Sequence, residues 1–386
     1  MLLLMLFSGV FQKAEFPMDR SMVVKGMNRF GIELMKRIEG EGNLFISPYS
    51  IYKALGMVYE GSRSKTQREM KDVLGITGSD FSHALSMLER DILGLAGGVT
   101  LEVANSLWLQ RHFPVLPSFR EKMRKYYGGE FHLSDFVKSP EKERNRINRW
   151  VEEKTHEKIK ELFPPNSISA ATRLVVVNAI YFLGEWDKPF DTTRTRMDKF
   201  NTGEKIVDVM MMNNTTNYYY GAFDGFKALR MNYGDGEFFM LILLPDSVDG
   251  VKHIEERLTP AFIDSVNRGL RWSRVNVSIP RFTLDVRYSL NDYLVGMGMG
   301  SAFSLSADFS GITGKRDLFI SLVVHRAYIK VDEKGTEAAA ATGIAMELTA
   351  VRHRELYSFR ADHPFIFLIM HRNTGAILFV GRLINP

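Results

Sequence analysis

The amino-acid sequence predicts an α+β fold, and three observations carry the prediction. Helical spacing of apolar residues dominates the N-terminal quarter, strand signals dominate most of the remaining chain, and no β-α-β rhythm alternates the two. The first helix is predicted to begin after Asp19, where Met22, Val23, Met27, Phe30, Leu34 and Met35 set up one apolar stripe. A second helical stretch, Lys142–Leu162, shows Trp150, Val151, Ile159 and Leu162 against abundant charge. Leu174–Phe182 and Phe238–Leu244 are almost wholly apolar, as strands covered on both faces are. Arg274–Ile279 alternates and so predicts one wet face. Leu318–Val331 is rich in β-branched and aromatic residues and reads as a buried strand. Phe365–His371 and Ala376–Leu383 are joined through Asn373-Thr374-Gly375 as a hairpin.

The chain of 386 residues shows no Pro/Ser/Gly-rich linker, long charge block or repeat, so residues 20–386 are expected to form one body. Residues 1–19 open on Met1-Leu2-Leu3-Leu4-Met5-Leu6-Phe7, a run too short to span a bilayer. It is taken as a signal peptide or a disordered N-terminus, giving an extracellular expectation with the cytoplasm as alternative. Zero cysteines exclude disulfides, thiolate metal sites and a cysteine nucleophile. The net charge of +5 is spread over both signs, and Lys122 to Lys125 and Lys142 to Arg149 are interleaved with Glu121, Glu141 and Glu143. These are solvated faces rather than a nucleic-acid surface.

Enzyme signatures are missing. The nine histidines fall in no His-Glu-x-x-His spacing, and there is neither a Gly-x-Ser-x-Gly elbow nor a phosphate loop. Gly296-Met297-Gly298-Met299-Gly300 lacks the phosphate pattern and suits a helix end. No metal, cofactor or membrane partner is expected. His325, inside an apolar strand, is expected to be a buried, hydrogen-bonded imidazole.

The most informative stretch is Val331–Leu348. Four alanines suggest helix, but Gly335 and Gly343 bracket them and Thr336 and Thr342 flank them. Read as a strand, the tract places Thr336, Ala338, Ala340 and Thr342 on one face and Glu337, Ala339, Ala341 and Gly343 on the other. Nothing bulky anchors it, so it is a strand able to slide between others.

The run Glu333-Lys334-Gly335-Thr336-Glu337-Ala338-Ala339-Ala340-Ala341-Thr342 resembles the reactive-loop hinge of inhibitory serpins. Further blocks resemble the same family in order: Asn43 to Ile51, Ala104-Asn105-Ser106-Leu107-Trp108, Ile147 to Val151, Asn178 to Phe182 with Gly184 and Trp186, Ala307 to Gly311, and Ala361 to Phe365. The resemblance implies a serpin fold with three β-sheets, about nine helices and an exposed reactive-centre loop at about 333–356. It implies a shutter of Ser47, Ser50, Asn178 and His325, and a breach of Trp186, Arg281 and Glu333 in which Arg281 and Glu333 form an exposed ion pair. It also implies a suicide-substrate inhibitor that is monomeric, is not itself an enzyme, and traps a serine protease as a covalent acyl complex.

Counting seventeen residues from Glu333 puts the scissile bond at Thr349-Ala350, with Leu348 and Arg352 as alternatives for the residue before the cut. Thr349 and Leu348 suit subtilisin-, elastase- or chymotrypsin-like enzymes, and Arg352 a trypsin-like one. Heparin-type activation is not expected, because Glu89 and Asp91 balance Arg90 in the stretch where heparin-activated relatives are basic. The competing reading is a non-inhibitory carrier or chaperone of the same fold.

Overall fold

A computed structural model of the chain describes residues 16–94, 98–128, 130–336 and 355–386. Asp19 ends the extended lead-in because its carboxylate accepts the Met22 N–H at 2.9 Å, capping α1 (Arg20–Arg37). After β1 (Leu44–Ile46), Ser47 caps α2 (Pro48–Tyr59), with Pro48 in the first turn. α2 is buried along nearly its whole length, which places the Ser47 and Ser50 hydroxyls in the interior. α3 (Ser64–Leu74) stops at Gly75, whose φ of +67° is the left-handed stop a side chain would resist. α4 (Phe81–Leu93), β2 (Val99–Gln110), α5 (Pro117–Lys122) and β3 (Glu130–Ser134) come after it.

α6 (Pro140–Lys154) is shorter than the Lys142–Leu162 pattern suggested. Thr155 turns its hydroxyl back to the Val151 carbonyl at 2.8 Å, and His156 and Glu157 then adopt positive φ, so the helix ends although apolar spacing continues. β4 (Leu174–Glu185), β5 (Arg196–Asn201), β6 (Ile206–Phe223), β7 (Phe226–Tyr233) and β8 (Phe238–Pro245) come next, and β8 is buried at every position. Then come α7 (Val251–Arg257), α8 (Pro260–Gly269), β9 (Arg271–Pro280), β10 (Phe282–Ser289), α9 (Asn291–Leu294) and α10 (Ser310–Thr313). The glycine run 296–300 lies directly after α9, with Gly298 at φ +116° where the helical path breaks. β11 (Ile320–Val331), β12 (Gly335–Thr336), β13 (Leu356–Arg360), β14 (Phe365–His371) and β15 (Ile377–Leu383) complete the order, the last two pairing antiparallel as a hairpin.

Among the described residues hydrogen bonds join the strands into two networks, one of which holds two of the three expected sheets side by side. One runs β10-β11-β12-β4-β2-β3; the other runs β1-β15-β14-β8-β7-β6-β9-β13, with β5 on β6. The difference comes from β6, which pairs β5 at its start, β7 at its end and β9 between, welding two expected sheets along one ladder. The main core fills the space between the sheets and the first helices. A second, smaller core lies under α6, where Ile147, Trp150 and Val151 meet Val175, Val177, Ala179 and Val324. β4 and β11 are therefore covered on both faces, which is why their sequences are so continuously apolar.

Candidate functional site

β4 and β11 run parallel and pair from Ile320/Leu174 up to Tyr328/Tyr181. Above that point they part, and β12 fills the opening. Thr336 lies opposite Val331 on one side and Gly184 on the other, and Gly335 opposite Glu185. Gly335 is needed by close approach, since a Cβ there would stand 2.0 Å from the Gly184 carbonyl oxygen. The Thr336 side chain is fully buried, and its hydroxyl lies 2.8 Å from the Tyr233 hydroxyl. Trp186 stacks on Tyr233 with ring centroids 4.3 Å apart, donates from its indole N–H to the Asp332 carbonyl at 3.0 Å, and donates from its backbone N–H to the Lys334 carbonyl at 2.8 Å.

Glu333 sits at this mouth with Arg281. Arg281 Nε donates to both carboxylate oxygens, at 2.8 and 2.9 Å, its Nη2 also donates, and the Thr195 hydroxyl donates at 2.6 Å. The pair differs from an exposed one: Arg281 is 42% accessible but Glu333 only 5%. Burial pushes the Glu333 carboxyl up, yet hydrogen bonds from Arg281 and Thr195 outweigh it and hold the group below the usual range.

Lower in the same seam, His325 of β11 is level with Asn178 of β4. Its Nδ1 meets Asn178 Oδ1, which can only accept, so Nδ1 carries the proton and Nε2 accepts the Ser47 N–H at 3.2 Å. Asn178 Nδ2 donates to Ser50 Oγ and to Asn105 Oδ1, Asn105 Nδ2 donates to the Ser50 carbonyl at 3.2 Å, and Ser47 Oγ donates to the Leu378 carbonyl at 2.6 Å. Ser47, Ser50, Asn178 and His325 thus meet, with Asn105 of β2 as a fifth member that sequence reasoning misses. A signal exists, for Asn105 interrupts a buried strand just as Asn178 does, and the two are cross-strand partners. Complete burial lowers the His325 pKa to about 3, so the imidazole is neutral around pH 7. It accepts and donates one hydrogen bond each.

Of the other residues singled out in the sequence, Glu337, Ala338, Ala339, Ala340, Ala341, Thr342, Leu348, Thr349, Ala350 and Arg352 lie outside the described residues, as does the N-terminal apolar run. Among the described residues no helix is long and apolar enough to cross a membrane, and no group of three His, Asp or Glu side chains could hold a metal ion.

The geometry is that of a central sheet whose two parallel strands part at one end, with Gly335 and Thr336 paired in the opening. The family model for serpin (serine protease inhibitor) matches residues 25–386, and the chain belongs to the serpin family. It is 38% identical to the leukocyte elastase inhibitor of Bos taurus, over 93% of this chain and 98% of that protein. It is also 38% identical to an uncharacterized serpin-like protein of Thermococcus kodakarensis, over 94% of this chain and 86% of that one. Among solved structures it resembles an Arabidopsis serpin in its native stressed conformation, with a TM-score of 0.86 at 27% identity over 96% of this chain and all of that one. Human thyroxine-binding globulin with its ligand gives a TM-score of 0.87 at 29% identity, over 95% of this chain and 99% of that one.

Proposed function

We propose that this protein inhibits serine proteases as a suicide substrate. The protease serine attacks the carbonyl of Thr349, the bond to Ala350 breaks, the new amine of Ala350 leaves, and Thr349 stays esterified to the enzyme. The freed strand then inserts between β4 and β11 and carries the protease with it. One observation carries the reading: Gly335 and Thr336 are already paired between those strands.

Their register says what full insertion would do. Six residues beyond Thr336 is Thr342; six back from its partners Gly184 and Val331 are Asn178 and His325. The continued strand would set the Thr342 hydroxyl, on the same face as Thr336, between two side chains that now hold each other. The polar cluster would be parted and its lost hydrogen bond replaced in one step. Small residues at Ala338 to Ala341 allow the passage.

A strand of about a dozen residues bonded on both edges gains on the order of 10 kcal/mol, at roughly 1 kcal/mol per net hydrogen bond. That is comparable with the entire stability of an ordinary domain, roughly 5–15 kcal/mol. The leukocyte elastase inhibitor relatives support a protease as the partner.

The inhibitor acts as a monomer, with no cofactor and no polyanion. α4 supports the last point, since Glu89 is paired with Lys53 and Asp91 with Arg20. The N-terminal apolar run favours export, with the cytoplasm as the alternative, and the lack of cysteine does not discriminate between them, so cell fractionation decides the compartment.

The test is incubation with subtilisin-, elastase- and chymotrypsin-like proteases. An SDS-stable complex supports the trap, whereas plain digestion or no reaction supports a carrier such as the thyroxine-binding relative. Mass spectrometry of the released C-terminal fragment reads the bond. A start at Ala350 supports Thr349, a start at Thr349 promotes Leu348, and a start at His353 promotes Arg352 and a trypsin-like target.

A further inference from the structure

Where the chain turns out of β4, a narrow cleft opens between that turn and the ladder of β6, β7 and β9. Trp186 and Lys188 line it from the turn, Arg230 and Asn232 from β7, and Trp272 from β9. Its space of about 10 Å³ holds one water-sized group, so it admits the head of a ligand and leaves the body outside. Two cations share the cleft, and among the described residues neither has a carboxylate partner. The Arg230 guanidinium is half-buried, its carbon 5.2 Å from the Tyr219 ring centroid and 4.0 Å from that of Phe239, and Nε donates to Asn232 Oδ1 at 3.0 Å. Rings engage a guanidinium through its face and leave the N–H groups of its edge unsatisfied, so Nη1 and Nη2, which have no acceptor among the described residues, remain a two-pronged donor. Burial lowers the Arg230 pKa from its usual value, and nearby Arg372, itself paired with Glu237, adds to the shift. Lys188 Nζ lies 4.5 Å from the Trp272 ring centroid and donates to the Asn217 carbonyl at 3.2 Å, which leaves two of its three donors. Asp187, the carboxylate that also lines the cleft, is exposed and pairs with neither cation.

We propose that this cleft is a ligand site for a small aromatic carboxylate, whose head meets the free edge of Arg230 and shares its charge with Lys188, and that filling it steadies the seated hinge. The chemistry selects the head. A half-buried cation without an anion is costly, and a carboxylate is planar like the guanidinium edge it meets, whereas a tetrahedral phosphate is too thick for so narrow a space. The surface outside selects the body. Trp272 and Tyr219 are exposed beside the cleft with ring centroids 4.9 Å apart, a platform on which a flat apolar group can lie. The link to the hinge is Trp186, which the cleft and the hinge share. Its indole and backbone N–H groups donate to the Asp332 and Lys334 carbonyls, and its ring stacks on Tyr233, which touches Thr336. Asp187, the next residue, donates its N–H to the Asn232 carbonyl at 3.0 Å and ties the turn to β7. A ligand that grips the turn through Lys188 and β7 through Arg230 favours the arrangement in which Trp186 holds the hinge. By linkage, a seated hinge tightens the site to the same degree.

The experiment uses the intact protein without protease, so its result does not depend on the inhibitory reading. The four tryptophans, Trp108, Trp150, Trp186 and Trp272, are labelled with nitrogen-15, and their indole N–H signals are followed by NMR at constant ionic strength. Benzoate is the probe, with benzyl alcohol as the neutral body and inorganic phosphate as the competing anion. Benzoate should move the Trp186 and Trp272 signals saturably and leave Trp108 and Trp150 in place, and benzyl alcohol should move none. Arg230→Met should weaken benzoate at least tenfold, the loss of a charge-assisted hydrogen bond, and Lys188→Met severalfold. At ten times the benzoate dissociation constant, amide exchange over residues 333–336 should slow by about tenfold in wild type and stay unchanged in Arg230→Met. Equal shifts with benzyl alcohol, or undiminished benzoate binding in Arg230→Met, would overturn the anion site. Tighter binding of phosphate than of benzoate would overturn the carboxylate assignment, and unchanged exchange in saturated wild type would overturn the link to the hinge. Should Arg230→Met not fold, Lys188→Met carries the same comparisons.

Discussion

The two ends of one seam are held in opposite ways. At its upper end β4 and β11 have already separated and are bridged by backbone, with Thr336 and Gly335 supplying the ladder and Glu333 tied to Arg281 at the edge of solvent. About 20 Å lower, at roughly 3.3 Å per residue, the same strands touch directly and are locked by wholly buried side chains centred on His325 and Asn178. Backbone hydrogen bonds are indifferent to sequence and can be extended residue by residue, so the upper end is a place to start. A buried polar cluster has one good arrangement and is costly when half broken, so the middle is a place to stop. The seam is begun at one end and barred at the other.

The largest expected effect tests whether the bar gives way. Cleavage in the loop at Thr349-Ala350 should let the strand run the full seam and gain on the order of 10 kcal/mol. The melting point should rise by at least about 10 °C, at a few degrees per kcal/mol. Calorimetry of intact and cleaved protein measures this, and an unchanged or lower midpoint means that the middle never opens.

Next in size is Thr336→Arg, which attacks the starting point. The Thr336 side chain is fully buried beside Tyr233. A guanidinium there would be buried unpaired at a cost of about 3–5 kcal/mol. The protease should still cut the loop while insertion fails, converting inhibitor into substrate and raising the stoichiometry of inhibition at least tenfold. A variant that traps protease at the wild-type ratio would show that the upper end does not control insertion.

The middle has a pH signature distinct from that of the upper end, where the Glu333 carboxyl is held below the usual range and its contribution is lost only in stronger acid. His325 has its folded pKa lowered to about 3 by burial, against about 6.5 when unfolded. Between those values the unfolded state binds more protons, so stability rises with pH across the window. It is fully present above about pH 6.5 and is lost as the solution is acidified, by about 2 kcal/mol at pH 5. Denaturant titrations from pH 7 to pH 4.5 on wild type and His325→Gln should separate, with the slope reduced in the variant. Parallel slopes would mean that His325 is not what closes the middle.

The same division governs how much is legible in the sequence. The hinge can be read because it is a local run, with Gly335, Thr336 and four alanines in succession. Ser47, Ser50, Asn178 and His325 come from three distant segments and are assembled only through resemblance, while Asn105 escapes because its signal, an asparagine inside a buried strand, acquires meaning only once its cross-strand partner Asn178 is known. Likewise, no composition rule says that Glu333 is buried and Arg281 half exposed, since burial is decided by the approach of Thr195 and of the turn after β4. The end of α6 at Lys154 is hidden because apolar spacing runs past it, and the stop is made by one threonine hydroxyl. The joining of two expected sheets into one network comes from β6, whose length binds two ladders that composition alone would keep apart.

The smallest effect is the most discriminating about the upper end. If backbone alone holds β12 in place, the hydroxyl contact between Tyr233 and Thr336 is incidental; if side chains help, it is the fastening that sets the register from which insertion proceeds. Tyr233→Phe keeps the ring stacked on Trp186 and removes only the oxygen 2.8 Å from Thr336 Oγ1. The loss is one neutral buried hydrogen bond, about 1 kcal/mol and so about fivefold in the population of the seated hinge. A hinge that is seated less often begins insertion later, so deacylation competes better and the stoichiometry of inhibition rises, while the first attack on the loop is unchanged. Thr336→Val should do the same, and the double variant should be no worse than either single one, because each removes the same bond. Additive losses would mean that the two hydroxyls act separately, and no loss in any variant would leave the backbone as the sole fastening of the upper end.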